Sequence, residues 1–156
     1  MNINCLLSIA TETLESGGKI DVVYTDFEKA FDKVPHKRLL RKLKAYKLHN
    51  TIIEWIKNIL TDRKQRVRVN GKFSCWAKVF SWIPQGSILG PLLLIKFIND
   101  LVDVCEENIK MYLFADEAKM YCHIKNVADK DKLQRGIDNF VDWTSKWQVS
   151  LNIHKC

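Results

Sequence analysis

The segment Lys110–Tyr121 constrains the fold most, because an apolar run through Met111, Leu113 and Phe114 is broken by Asp116 and Glu117 and resumes at Ala118. Two such runs around a short break predict a β-hairpin with its carboxylates at the tip. Two-residue hairpin turns favour Asn-Gly, Asp-Gly or Gly-X, so Asp116-Glu117 is poor turn chemistry. A local rule broken inside an otherwise consistent pattern marks a candidate functional site. Ninety residues upstream, Ile20-Asp-Val-Val-Tyr-Thr-Asp26 is a β-branched strand that also ends on an acid. Three carboxylates at strand ends that converge must bind a hard cation through oxygen or repel one another. Asp26, Asp116 and Glu117 are therefore a candidate divalent-metal site.

A chain of 156 residues with 47% hydrophobic content can bury a real core, which predicts one domain or part of a larger one. The formal net charge of +7 suits a polyanionic partner, nucleic acid ahead of an acidic membrane surface, although basic residues that merely solubilise a chain give the same total. Five scattered cysteines without a Cys-x-x-Cys pair argue against a disulfide framework and a zinc site, and fit reduced intracellular thiols. No signal peptide and no membrane span is expected, since the apolar stretch Leu92–Ile95 is cut short by Lys96.

In chain order, a helix is predicted after Asn4, with Leu7, Ala10 and Leu14 on one face and Gly17-Gly18 as its stop. After the strand to Asp26, residues 28–35 suit a tight loop or a single helical turn. Pro35 opens a basic helix to Lys47, with Leu39, Leu40, Leu43 and Tyr46 as its apolar stripe and Lys37, Arg38, Arg41 and Lys42 on the remainder. A second helix spans Thr51–Leu60. The period then falls to two: Arg63–Val69, the turn Asn70-Gly71 and Phe73–Phe80 form the clearest hairpin. Lys64, Arg66 and Arg68 share one of its faces, where they suit phosphate contact or simple solvation. Ser87 is placed to cap a helix over Gly90–Leu101, with Pro91 in its first turn. Residues 128–147 read as an amphipathic helix with Leu133, Ile137, Phe140, Thr144 and Trp147 inward, followed by a short strand from Val149. Helices alternating with paired strands predict an α+β fold, helices packed on one face of an antiparallel sheet. His36, His49, His123 and His154 lack metal-ligand spacing and read as surface or hydrogen-bonding residues.

Four ordered motifs carry a family resemblance: Asp26-Phe-Glu-Lys-Ala-Phe31-Asp-Lys-Val-Pro-His36, Pro84-Gln-Gly-Ser-Ile-Leu-Gly-Pro-Leu-Leu93, Phe114-Ala-Asp-Glu117 and Leu151-Asn-Ile-His-Lys155. In order and spacing they resemble the palm motifs of reverse transcriptases, most closely those of non-LTR retrotransposons. The resemblance implies a right-hand polymerase palm with a fingers-like β-hairpin, and RNA-directed DNA polymerisation using an RNA template, a DNA primer and deoxynucleoside triphosphates. It implies two Mg2+ ions, or Mn2+, held by Asp26, Asp116, Glu117 and the Phe27 carbonyl. By the same resemblance Phe31 disfavours a ribose 2′-hydroxyl, Gln85 and Gly86 pack against the nucleotide, and Lys155 neutralises or protonates the leaving pyrophosphate. The basic residues Lys37, Arg38, Arg41, Lys42, Lys64, Arg66 and Arg68 would meet nucleic acid.

The family's upstream fingers motifs, its thumb and an endonuclease module have no counterpart, so the expected organisation is one partial reverse transcriptase domain over 1–156, palm with part of the fingers. Three positions depart from the family pattern. Glu117 replaces an aspartate, and its extra methylene displaces a carboxylate. Trp82 stands where the family has glycine, and Lys96 interrupts an apolar helix face. These departures predict weak polymerisation or none. The alternative is a catalytically inert nucleic-acid-binding remnant of a retrotransposon, with a palm-like RNA-binding module of other ancestry a distant third. An intracellular protein is expected, and its oligomeric state is not legible.

Overall fold

The structure is a computed structural model that describes residues 11, 13–15, 17–84, 86–106 and 108–155. In chain order its elements are β1 (Lys19–Asp26), α1 (His36–Ala45), α2 (Asn50–Leu60), β2 (Lys64–Gln65), β3 (Arg68–Val69), β4 (Lys72–Phe73), β5 (Ala77–Lys78), α3 (Leu89–Ile98), a 3-10 helix (Asn99–Val104), β6 (Ile109–Phe114), β7 (Glu117–Ile124) and α4 (Val127–Trp147). Most of the helix expected after Asn4 lies outside the described residues. Its stop is visible: Gly17 takes φ 73° and the Gly18 amide donates to the Thr13 carbonyl. Backbone contacts divide the chain into two compact units, residues 1–28 with 98–156 and residues 29–97. No described helix is long and apolar enough to cross a membrane.

In the first unit β1, β7 and β6 form an antiparallel sheet in that order. Because strand side chains alternate and directly opposed residues share a face, the register assigns both faces. Thr25, Ala118 and Leu113, then Val23, Met120 and Met111, then Cys122 and Ile109, form one face. Asp26, Glu117 and Phe114, then Tyr24, Lys119 and Tyr112, form the other. Helix α4 covers the first face, and Gly136 permits the approach, since a Cβ there would stand 2.6 Å from Ile109 Cδ1. Phe27 packs beside Phe140 and Trp143, at centroid separations of 6.0 and 6.4 Å. Leu133, Phe140, Thr144 and Trp147 are buried as their spacing predicts; Ile137 is half-buried and Trp143 joins the stripe.

Helix α4 starts on a capping box. Asn126 accepts from the Asp129 amide, and the Asp129 carboxylate accepts from the Lys125 and Asn126 amides. The Lys125 amide above all holds the Asp129 carboxyl below its ordinary value, with the Lys132 ammonium and the Asn126 amide adding to it against the opposing effect of desolvation. A carboxyl depressed by folding contributes stability above its unfolded value and loses it as pH falls through the folded one. Asp129→Asn should therefore destabilise the protein at neutral pH and flatten the loss of stability on acidification, read from urea midpoints between about pH 7 and 2. Asn126→Ala should cost about 1 kcal/mol at both ends of that range. Equal acid limbs for wild type and Asp129→Asn would remove this account.

In the second unit α1 begins after Pro35, which is its N-cap rather than its first helical residue. Residues 28–35 form the expected turn, with the Asp32 and Lys33 amides donating to the Lys29 carbonyl. The 63–80 hairpin forms about Asn70 and Gly71, at φ 48° and 79°, the pair of positive values that a type I′ turn requires. Its ladder is two short pairings, β2 with β5 and β3 with β4. Between them the Ser74 hydroxyl accepts from the Val67 amide. Ser87 caps α3: its hydroxyl accepts from the Gly90 amide and donates to the Pro84 carbonyl. Gly90 is obligatory, since a Cβ would meet the Pro84 carbonyl oxygen at 2.3 Å.

One expectation about lysines is corrected here. Lys96, which interrupts an apolar helix face, is half-exposed, with its ammonium 5.1 Å from the Tyr46 ring centroid, so its long stem carries the charge out of the apolar surroundings. The buried lysine is Lys42, 3% exposed, whose ammonium donates to the Phe97 carbonyl in the last turn of α3. There it meets the negative end of a helix, and it is withdrawn from any contact with phosphate.

Candidate active site

Strand β1 and the β6–β7 hairpin bring Asp26 and Glu117 directly opposite each other on the face that α4 does not cover. With Tyr24, Thr25, Lys119 and Lys155 they line a cleft of about 510 Å³. The hairpin tip differs from the expected one by a residue. Its turn is Ala115-Asp116, with φ 52° at Ala115, and Glu117 is already the first residue of β7. Asp116 consequently does not line the cleft, and its backbone carbonyl accepts from the Phe27 amide at 2.8 Å. Among the described residues, no group of three or more His, Cys, Asp or Glu side chains is placed to hold a metal ion. The expected three-carboxylate cluster is thus a facing pair with its third member beside it in the turn. The reason is alternation: Glu117, once in register with Asp26, takes the cleft face, and its sequence neighbour does not.

Each of the paired acids is matched by a lysine. Lys155 Nζ stands 3.2 Å from Asp26 Oδ2, and Lys119 Nζ 3.0 Å from Glu117 Oε2. The Leu151–Lys155 motif reaches this point because the chain after α4 lies along the end of β1. Leu151 bridges Phe27, the Glu28 amide donates to Ser150, and the Asn152 amide donates to the Asp26 carbonyl. A single bridge and a turn replace the strand expected from Val149. Lys119 and Tyr24, 5.4 Å apart as cation and ring centroid, were missed. The i, i+2 spacing of Glu117 and Lys119 was the available signal. The donor chemistry, carboxylate oxygens on neighbouring strands, fits a hard divalent cation, which for Mg2+ commonly means one or two carboxylates completed by substrate phosphate and water.

The remaining candidates lie in the second unit. Phe31 is half-buried, and its carbonyl accepts from the Ile83 amide at 2.8 Å. Gly86 takes φ 80°, and Gln85 lies outside the described residues. Trp82 takes φ 117°, and its carbonyl lies 2.7 Å from His36 Nε2. Since a carbonyl can only accept, His36 carries its proton on Nε2. Lys37, Arg41, Lys64, Arg66 and Arg68 are exposed and Arg38 is half-exposed. The described cysteines, Cys75, Cys105 and Cys122, are free thiols.

Comparison with known proteins identifies the chain's relatives. Residues 6–156 match the family model for "Reverse transcriptase (RNA-dependent DNA polymerase)". The RNA-directed DNA polymerase from mobile element jockey of Drosophila melanogaster is 30% identical over 97% of this chain, which spans 17% of that protein. A probable RNA-directed DNA polymerase from transposon BS of the same organism is 39% identical over 86% of the chain and 16% of the relative. The chain thus spans about a sixth of the relatives it matches. A solved apo telomerase from Candida tropicalis, truncated from the C-terminal domain, superposes with a TM-score of 0.70 over 97% of this chain and 33% of its own, at 14% identity. That likeness bears out the palm fold.

Proposed function

The chain belongs to the reverse transcriptase family, and from that premise we propose that it is a palm piece of an RNA-directed DNA polymerase, with part of the fingers, acting on an RNA template, a DNA primer and deoxynucleoside triphosphates. One observation carries the reading: Asp26 and Glu117 face each other across adjacent strands in one cleft, with Lys155 on Asp26. Two Mg2+ ions, or Mn2+, would be held by the facing Asp26 and Glu117, with Asp116 from the adjoining turn and the Phe27 carbonyl as the further oxygen donors the family resemblance implies, and would supply charge stabilisation to the attacking and leaving oxygens. The chain's own residues do the rest. Lys155 and Lys119 neutralise the carboxylates while no cation is bound, and Lys155 then neutralises or protonates the departing pyrophosphate. Phe31 crowds a 2′-hydroxyl and so favours deoxynucleotides, while Gln85 and Gly86 line the nucleotide. The expected compartment is intracellular.

The test is a chimaera in which this chain receives fingers and thumb from a complete relative. Primer extension on RNA should depend on Mg2+ and cease in EDTA. Glu117→Asp should raise the rate by as much as about a hundredfold, since a misplacement of about 1 Å costs that much. If neither a folded wild-type chimaera nor its Glu117→Asp variant extends a primer at any Mg2+ or Mn2+ concentration, the inert-remnant reading takes its place.

A further inference from the structure

Asp26, Glu117, Lys119 and Lys155 are the charged residues that line the cleft on the uncovered sheet face, two acids against two ammonium groups, so its lining is formally neutral. The two pairs are built differently. Lys155 comes from the turn after α4 and its side chain is 64% exposed, so its ammonium can leave Asp26 for solvent at little cost. Lys119 is 23% exposed and hemmed in on three sides. It lies on the central strand β7, where its direct neighbours across the two ladders are Tyr24 on β1 and Tyr112 on β6. Away from the hairpin tip, the next side chain on the same face is Tyr121, 1% exposed and stacked on Tyr112 with their hydroxyls 3.0 Å apart. The lysine stem therefore has one open direction, along the strand towards residue 117. Side chains two residues apart on a strand start about 7 Å from each other, a gap that the long arms of glutamate and lysine close together. The ammonium ends 3.0 Å from Glu117 Oε2 and 5.4 Å from the Tyr24 ring centroid, where the ring adds to its hold.

We propose that Lys119 is a tethered counter-ion that competes with a divalent cation for Glu117, so that the cleft takes a cation first on Asp26 and reaches Glu117 only by displacing the ammonium. The inference rests on the polymerase reading in one respect, that the cleft is the cation site. A carboxylate paired with an ammonium offers a hard cation a ligand only after that pair is broken. The charge balance acts in the same direction, since without Lys119 the lining holds one acid in excess. Lys119 thus sets metal affinity through Glu117, as a positioning residue, and needs no contact with substrate. An ion pair that only braced the strand would leave affinity for a cation where it was.

The probe is Mn2+, with the free ion read by electron paramagnetic resonance in titrations of the 156-residue chain without nucleotide. Lys119→Met should bind Mn2+ about tenfold more tightly than wild type at low salt, the effect of taking one charge from about 5 Å away from a divalent ion in a partly exposed cleft. Lys119→Gln should show the same gain, so that the packing of methionine is not its cause. Lys119→Arg keeps the charge and should stay within about twofold of wild type, and Lys155→Met should gain less than Lys119→Met. In a Glu117→Gln background the gain from Lys119→Met should shrink, because no carboxylate is left to release. Melting temperatures should move by no more than about 4 °C. Equal affinities for wild type and Lys119→Met, a gain of the same size in the Glu117→Gln background, or no Mn2+ bound by any variant would overturn the inference. Asp26→Asn separates it from the polymerase reading. If that substitution leaves Mn2+ binding by Lys119→Met unchanged, the cleft is not the cation site and both fall. If it abolishes the binding while Lys119 makes no difference, only the inference falls.

Discussion

Asp26→Asn should lower deoxynucleotide addition by the fingers-and-thumb chimaera at least about a hundredfold, with little change in stability. The loss follows from removing one of two facing charges from a cleft whose other acid, Glu117, is held by Lys119. Stability should hardly move, because the Asp26–Lys155 pair ends on an exposed ammonium and such pairs contribute about 0–1 kcal/mol. For a chain of this size that is a melting-temperature change of no more than about 4 °C. Primer extension and thermal melting on the same sample separate the outcomes. An Asp26→Asn protein that keeps wild-type rates at saturating Mg2+ would mean that the Asp26–Glu117 cleft is not the reacting centre.

Trp82→Gly should be more stable than Trp82→Ala by about 1–3 kcal/mol, the cost of holding a residue with a Cβ in a conformation left to glycine. Both variants lose the indole, its packing and the Arg63 guanidinium 4.8 Å from its ring, so those terms cancel in the comparison. What remains is φ 117°. At ordinary backbone angles alanine exceeds glycine by about 0.4–1 kcal/mol through the unfolded chain, so the expected order is the reverse of the usual one. Urea midpoints of the two variants decide the matter: alanine equal to or above glycine would mean that the 80–84 loop relaxes on losing the indole and stores no strain.

Strand and helix placement was legible wherever periodicity was long or turn chemistry strong. The Asn70-Gly71 turn, the helix from Val127 and the Ser87 cap all stand where the spacing put them. The pairing of Asp26 with Glu117 was legible as convergence, since both sit at strand ends. The place of Asp116 in the turn beside that pair was not, because a one-residue change in where a hairpin turns alters which neighbour faces the cleft, and Ala115 gives no sign that it will accept a positive φ. The burial of Lys42 was not legible for a similar reason. Helical spacing says which side of a helix is basic, but only tertiary contact shows that the Phe97 carbonyl takes one ammonium inward while the Tyr46 ring meets that of Lys96.

The division of the chain also sets an order of assembly. Residues 29–97 are contiguous, whereas β1 must wait about ninety residues for β7, the strand that pairs with its whole length. At ordinary synthesis speeds of about 5–20 residues per second, that is a delay of roughly 5–18 s between the two strands leaving the ribosome. The inserted unit can be complete before its host begins to close. Through that interval the Ile20–Tyr24 stretch is an unpaired, β-branched edge of the kind that recruits other chains. Yield from cells should therefore depend on translation rate and chaperone supply more steeply than the equilibrium stability of the finished protein suggests.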